Sequence, residues 1–146
     1  MNKSSTIYFY GGGYNCLSNF AAYQVVYDDR IWMTAEHAYQ AHKFNDTDIQ
    51  DEIQSCASAH AAKQLAHEYG NHVREDWFDI NVEIMENILR AKLSKHQHIQ
   101  QKLRVSAEKE LVEDSDDEFW GCGENRNGKN MLGKLWIKLR NELLKT

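Results

Sequence analysis

The spacing of apolar residues changes at Thr34, and that change sets the fold class. Before it, apolar and aromatic residues come in short alternating runs. Ile7 to Tyr10 reads as one strand, broken by Gly11, Gly12 and Gly13. Tyr23 to Tyr27 reads as a second, with Asp28-Asp29 as a turn and Arg30 to Met33 as the hairpin partner. These strands are expected to form a small antiparallel sheet near the N-terminus. From Thr34 onward the apolar residues recur three and four apart, which is the period of a helix. Thr34 is a good N-cap for Ala35 to Phe44, Asp46-Thr47-Asp48 caps a helix through Ile49, Ile53 and Cys56, and Ser58 caps one that Gly70 ends. Asn81 opens a helix carrying Ile84, Met85, Ile88, Leu89 and Lys92, and Ile99 and Leu103 mark a shorter one. The last helix runs from about Met131 to Leu144. The expectation is an α+β chain, predominantly helical, forming a single compact domain over residues 1–146.

Charge and composition narrow the function classes. The formal net charge is -5, which disfavours an extended nucleic-acid duplex as the main partner. One small nucleotide, or one modified base carried on a nucleic acid, stays compatible. Cys16, Cys56 and Cys122 form no CxxC pair, so they read as reduced thiols of a cytoplasmic protein. The polar stretch Met1 to Thr6 lacks an apolar signal core, and no apolar run has the length of a membrane span. His37 and His42 are five apart, as are His67 and His72, which splits each pair around a helix; no metal site is expected. No GxSxG, GxGxxG or GxxxxGK[ST] is present, so neither a serine hydrolase nor a bound cofactor is indicated.

Three segments carry residues suited to chemistry. Glu36, Gln40 and Lys43 advance by four and three, which puts them within about a 60° arc of one helix face. Spacing alone leaves two readings open: a solvated Glu–Lys face, or a carboxylate and an amine aimed into a cleft. The second segment is Asp116 to Gly123. Trp120 offers a stacking face, Gly121 and Gly123 allow close backbone approach, and Asp117 stands three residues before the indole. A surface loop whose Trp plugs the core is the plainer reading. The third is Asn15 to Phe20, in which Ser18 and Asn19 offer short polar groups for sugar or phosphate, or simply turn residues. Asn130 closes a polar loop through Gly128 that could cover a ligand.

Taken in order, these segments resemble the NADAR family, also called YbiA-like proteins. The matching pieces are Cys16 to Phe20, Trp32 to His37, Tyr39-Gln40-Ala41, Lys43-Phe44, Arg74 with Asp76-Trp77, Met85, Ala91-Lys92 and Leu111-Val112-Glu113. Then come Asp117, Trp120-Gly121, Gly123, Gly128, Asn130, Leu132-Gly133 and Arg140. The family often has proline where Met33 and Glu75 stand. Its usual small-residue turn before Leu-Val-Glu is here Ser106 to Glu110, and Trp136-Ile137 replaces a common Leu-Met. The resemblance implies a hydrolase that cleaves ribose–base N-glycosidic bonds. Two substrate classes go with it: phosphoribosyl-linked pyrimidine intermediates of riboflavin synthesis, and ADP-ribose on guanine. It implies Glu36 and Asp117 beside the ribose, Trp120 on the base, and Ser18, Asn19, Gln40, Gly121, Gly123 and Asn130 around the ligand. Lys43 would form an imine with ring-opened sugar or pair with phosphate, and Arg74 or Arg140 would hold phosphate or form structural ion pairs. The competing class is a non-catalytic module that binds ADP-ribose or a related nucleotide.

Overall fold

The helices begin where the sequence offers a cap. In the computed structural model, which describes residues 6–145, Thr34 accepts from the His37 amide, Asp46 from the Asp48 amide and Ser58 from the Ala61 amide. Each such cap contributes about 0.5–2 kcal/mol by satisfying an amide the helix cannot. In chain order the elements are β1 (Thr6–Phe9), a 3-10 turn (Gly12–Leu17), β2 (Val25–Tyr27), β3 (Arg30–Trp32), α1 (Ala35–Ala41), α2 (Thr47–Gln54) and α3 (Ala59–Glu68). A 3-10 turn (Gly70–His72), α4 (Trp77–Lys95), α5 (Gln97–Ser106), β4 (Glu110–Glu113) and α6 (Met131–Leu144) follow. The fold is mostly helical α+β with small sheets, as expected. No described helix is long and apolar enough to cross a membrane.

The chain divides into two compact units. One is Asn19–Lys95; the other combines the segment ending at Ser18 with the segment starting at His96. In the Asn19–Lys95 unit, β2 and β3 form the expected antiparallel hairpin, pairing Val25 with Trp32 and Tyr27 with Arg30. Asp28 and Asp29 both take positive φ, 55° and 60°, the backbone of a two-residue turn that matches strand twist. Trp32 is fully buried and its indole N–H donates to the Tyr27 carbonyl at 3.0 Å. Helix α1 packs against α2, α3 and α4. With neighbours on several sides it has no solvent face: all seven of its residues are buried. The solvated Glu–Lys face is therefore ruled out for Glu36 and Gln40. Helix α4 starts at Trp77, one turn earlier than its apolar spacing suggests, and packs on β2.

In the other unit, β1 does not extend the hairpin. It pairs in parallel with β4, Thr6 opposite Glu110 and Phe9 opposite Glu113. This corrects the expectation of one antiparallel sheet built from the three early strands. The reason is non-local: β4 is only four residues long and carries no repeating signal. Helix α6 packs on β4 and α5, and buries Trp136, whose indole N–H donates to the Leu17 carbonyl at 2.9 Å. Between α5 and β4 the chain turns at Ala107, held at φ 51° and ψ −110°. Arg140, buried on α6, braces this turn through Ser106 Oγ at 3.0 Å and the Lys109 carbonyl at 2.6 Å.

Candidate functional site

A carboxylate in a helix interior needs a partner, and Glu36 has one. Gln40, one turn on, donates from Nε2 to Glu36 Oε2 at 2.6 Å. Both residues are buried, Glu36 at 6% and Gln40 at 3% exposure. The spacing of four residues, read from sequence as a shared face, is thus a hydrogen-bonded pair. The Glu36 amide donates to the Asn19 carbonyl at 3.1 Å, which ties the segment before β2 to the start of α1. Asn19 is buried too, and its side-chain amide donates to Met85 Sδ at 3.4 Å. Asn19, Glu36 and Gln40 therefore form one buried cluster, with Met85 of α4 behind it.

Lys43 follows α1 and is half-buried. Its Nζ stands 5.8 Å from the Tyr39 ring centroid, a cation–π contact. Arg74 approaches the same segment, its amide donating to the Lys43 carbonyl at 2.8 Å. The Arg74 side chain, however, is engaged by Asp76: Nε to Oδ1 at 2.6 Å and an Nη to Oδ2 at 3.1 Å. That fork raises the Arg74 pKa and lowers that of Asp76. The ion-pair alternative thus describes Arg74 in this structure. His37 sits beside Glu36 with no exposure. Its Nε2 meets the Cys56 carbonyl at 3.0 Å and its Nδ1 the Thr34 hydroxyl at 2.8 Å. Burial holds its pKa below the ordinary value, with the Cys56 contact opposing.

Lys92 and Glu113 are further buried ionisable residues that the spacing does not mark as site residues. Lys92 has no exposure, and its Nζ lies 5.6 Å from the Tyr23 ring centroid. It stands one heptad after Met85, so it lies on nearly the same line along α4. A lysine inside an otherwise apolar stripe was the available signal. The second, Glu113 of β4, belongs to the other unit. It is buried and accepts from Ser115 Oγ at 3.0 Å.

In that other unit, the loop after β4 is fixed by its own backbone. Asp117 Oδ1 accepts from the amides of Phe119 at 2.9 Å and Trp120 at 2.6 Å. This is a capping arrangement, and it gives the exposed Asp117 a local structural task. The carbonyls of Phe119, Trp120 and Gly121 accept from the amides of Met131, Leu132 and Asn130 at 2.9–3.0 Å. They satisfy the first amides of α6, whose N-cap side chain makes no cap bond. Trp120 is half-buried, edge-on to Phe119 with centroids 4.9 Å apart.

The residues expected to approach a ligand here lie close to protein atoms. A Cβ on Gly121 would collide with Ser115 Oγ and come within 2.8 Å of Glu113 Oε2. Gly123 holds φ +78°, which favours glycine by itself. Asn130, expected around the ligand, has both ends of its amide on β4: Oδ1 accepts from the Glu113 amide and Nδ2 donates to the Leu111 carbonyl, each at 2.9 Å. In this structure its amide holds that strand. Ser18 is buried at the end of the first 3-10 turn, its amide donating to the Asn15 carbonyl at 2.9 Å. Cys16 and Cys122 are buried and Cys56 is half-buried.

Comparison with known proteins bears on the family and the fold. The model of the NADAR domain matches residues 8–144. N-glycosidase YbiA of Shigella boydii is 36% identical over 131 residues, covering 89% of this chain and 82% of that protein. An N-glycosidase of Nostoc punctiforme is 37% identical over 144 residues, 94% of this chain and 92% of its own. A riboflavin biosynthesis protein of Vibrio vulnificus is 36% identical over 140 residues, which span 94% of this chain but 38% of that protein. The solved structure of Escherichia coli YbiA superposes with a TM-score of 0.85 at 33% identity, covering 96% of this chain and 86% of that one.

Proposed function

The chain belongs to the NADAR domain family, and from that membership we propose that it is an N-glycosidase, a hydrolase that breaks the bond between a ribosyl carbon and a base nitrogen. One observation carries the proposal: the buried Glu36 carboxylate, fixed by Gln40 at 2.6 Å. Breaking a C1–N bond builds positive charge on the sugar. A carboxylate already oriented in a water-poor setting stabilises that charge with little rearrangement. A module that only binds a nucleotide has no need of such a group, so the buried pair favours catalysis over mere binding.

Lys43 fits the phosphate-pairing role better than the imine. It is half-exposed with its Nζ 5.8 Å from the Tyr39 ring centroid, a placement that suits a charged group meeting an anion. Asn19 and Gln40 fall to the sugar. In the other unit, taken by itself, Trp120 offers a stacking surface and Asp117 holds its amide.

Among N-ribosides we favour the phosphoribosyl-linked pyrimidine intermediates of riboflavin synthesis. Relatives from Vibrio vulnificus and Zea mays carry the name riboflavin biosynthesis protein. ADP-ribose on guanine presents the same bond and is the second substrate to try. The test is release of free base from each, followed by chromatography. Release from either substrate is expected. A folded protein that releases base from neither overturns the proposal.

A further inference from the structure

Two amide oxygens in the Glu36 cluster lack a hydrogen-bond partner. Asn19 Oδ1 and Gln40 Oε1 are both enclosed and unsatisfied, in residues 4% and 3% exposed. Native proteins rarely leave buried acceptors unpaired, because each loses its water and gains nothing in return. Exceptions ask for an explanation, and a bound ligand is one.

Amide orientation decides which atom is the orphan. In both residues the nitrogen faces a group that only accepts: the Met85 thioether for Asn19, and the Glu36 carboxylate for Gln40. Reversing either amide would set an oxygen against an acceptor. The orphans are therefore the oxygens, and what they require is a donor. A phosphate dianion has none to give. A sugar hydroxyl has one, and the ribose hydroxyls at C2 and C3 are the two nearest C1. Both amides are tied to Glu36, Asn19 through its carbonyl and the Glu36 amide, Gln40 through the carboxylate itself.

We propose that Asn19 Oδ1 and Gln40 Oε1 accept the vicinal hydroxyls of a ribosyl group, so that the site takes ribosides and rejects 2-deoxyribosides. This deepens the N-glycosidase reading and rests on its placing of the sugar at Glu36. A site built to bind a hydroxyl discriminates strongly against the analogue without it, because its buried acceptor stays unpaired. The discrimination extends to the choice between an RNA-type and a DNA-type sugar.

The experiment measures binding of ribose 5-phosphate and 2-deoxyribose 5-phosphate to the whole protein by calorimetry, beside the base-release assay. The deoxy sugar is expected to bind about 100-fold more weakly. Asn19→Leu keeps the volume and removes one orphan. It should cut the preference by about tenfold and raise the thermal midpoint of the free protein. Gln40→Met is the second variant, and should also weaken the preference. Equal binding of the two sugars by the wild type, binding of neither at millimolar concentration, or full preference in both variants would each overturn the inference. The two readings fail separately. Sugars told apart without base release sinks the glycosidase reading alone; base release with sugars bound alike sinks this one alone.

Discussion

Replacing Glu36 by glutamine changes one oxygen to an NH2 group and removes a charge at nearly constant volume. The structure lets the effects on stability and on rate be separated. The Gln40–Glu36 bond at 2.6 Å is charge-assisted; such bonds contribute about 1.5–3 kcal/mol, against about 0.5–1.5 for a neutral one. Loss of charge therefore weakens the pair by about 1 kcal/mol. Glu36 is buried, and an amide is less costly to bury than a carboxylate, which offsets much of that loss. The net change should stay within about 1 kcal/mol. For a chain of 146 residues the unfolding entropy is about 0.3 kcal/mol per degree, so the melting midpoint should move by no more than about 3 °C. The rate should fall far more. Removing a preorganised stabilising group costs about 100- to 1000-fold in kcat, or about 2.7–4 kcal/mol. Single-turnover base release and scanning calorimetry on the same sample measure both. Turnover within about threefold of wild type refutes the assignment of Glu36 to the reacting sugar. So does a drop in midpoint greater than about 10 °C, which would make the carboxylate chiefly a structural prop.

Further predictions concern residues around the cluster and beyond it. Lys43→Ala should raise KM for a phosphorylated riboside with base release retained, and wild-type protein should give no borohydride-trapped sugar adduct; an adduct lost in Lys43→Ala would establish the imine route instead. Ala107→Gly should stabilise the protein. A non-glycine residue at φ 51°, ψ −110° costs about 1–3 kcal/mol. Greater freedom of glycine in the unfolded chain returns about 0.4–1, leaving roughly 1 kcal/mol or about 3 °C in midpoint; a lower midpoint refutes the strain. His37 titrates below its ordinary 6.5 when folded because burial disfavours its charged form. Its contribution to stability is therefore present above pH about 6.5 and lost as pH falls below it. Urea unfolding at pH 7 and pH 5 should show a larger loss in wild type than in His37→Gln, and equal losses would remove His37 from the account.

Local signals were legible and distant ones were not. Thr34, Asp46 and Ser58 cap their helices as read, because a cap involves only residues two or three apart. The hairpin with its Asp28-Asp29 turn was legible for the same reason. Glu36 and Gln40 were correctly set on one face, but their burial depends on three other helices packing around α1, which no spacing within α1 contains. β4 was not read at all, since four residues flanked by charge make no pattern. The structural task of Asn130 depends on the same strand. Its amide spans the backbone of β4, so its task could not be assigned before the strand was known. The Trp120 loop shows the same limit: its glycines announced a close approach, and the structure supplied the identity of what approaches Gly121.

The parallel pairing of β1 with β4 also bears on how the chain assembles. Partners such as Thr6 and Glu110 are roughly a hundred residues apart, a separation that slows pairing because so much chain must be gathered first. Asn19–Lys95, by contrast, is one continuous stretch with its own helices and hairpin. On the ribosome its contacts become available while β1 still waits with an unpaired edge. Made about a hundred residues ahead of its partner, β1 is thus late to find its place, and during that interval its edge is open to pairing with another chain.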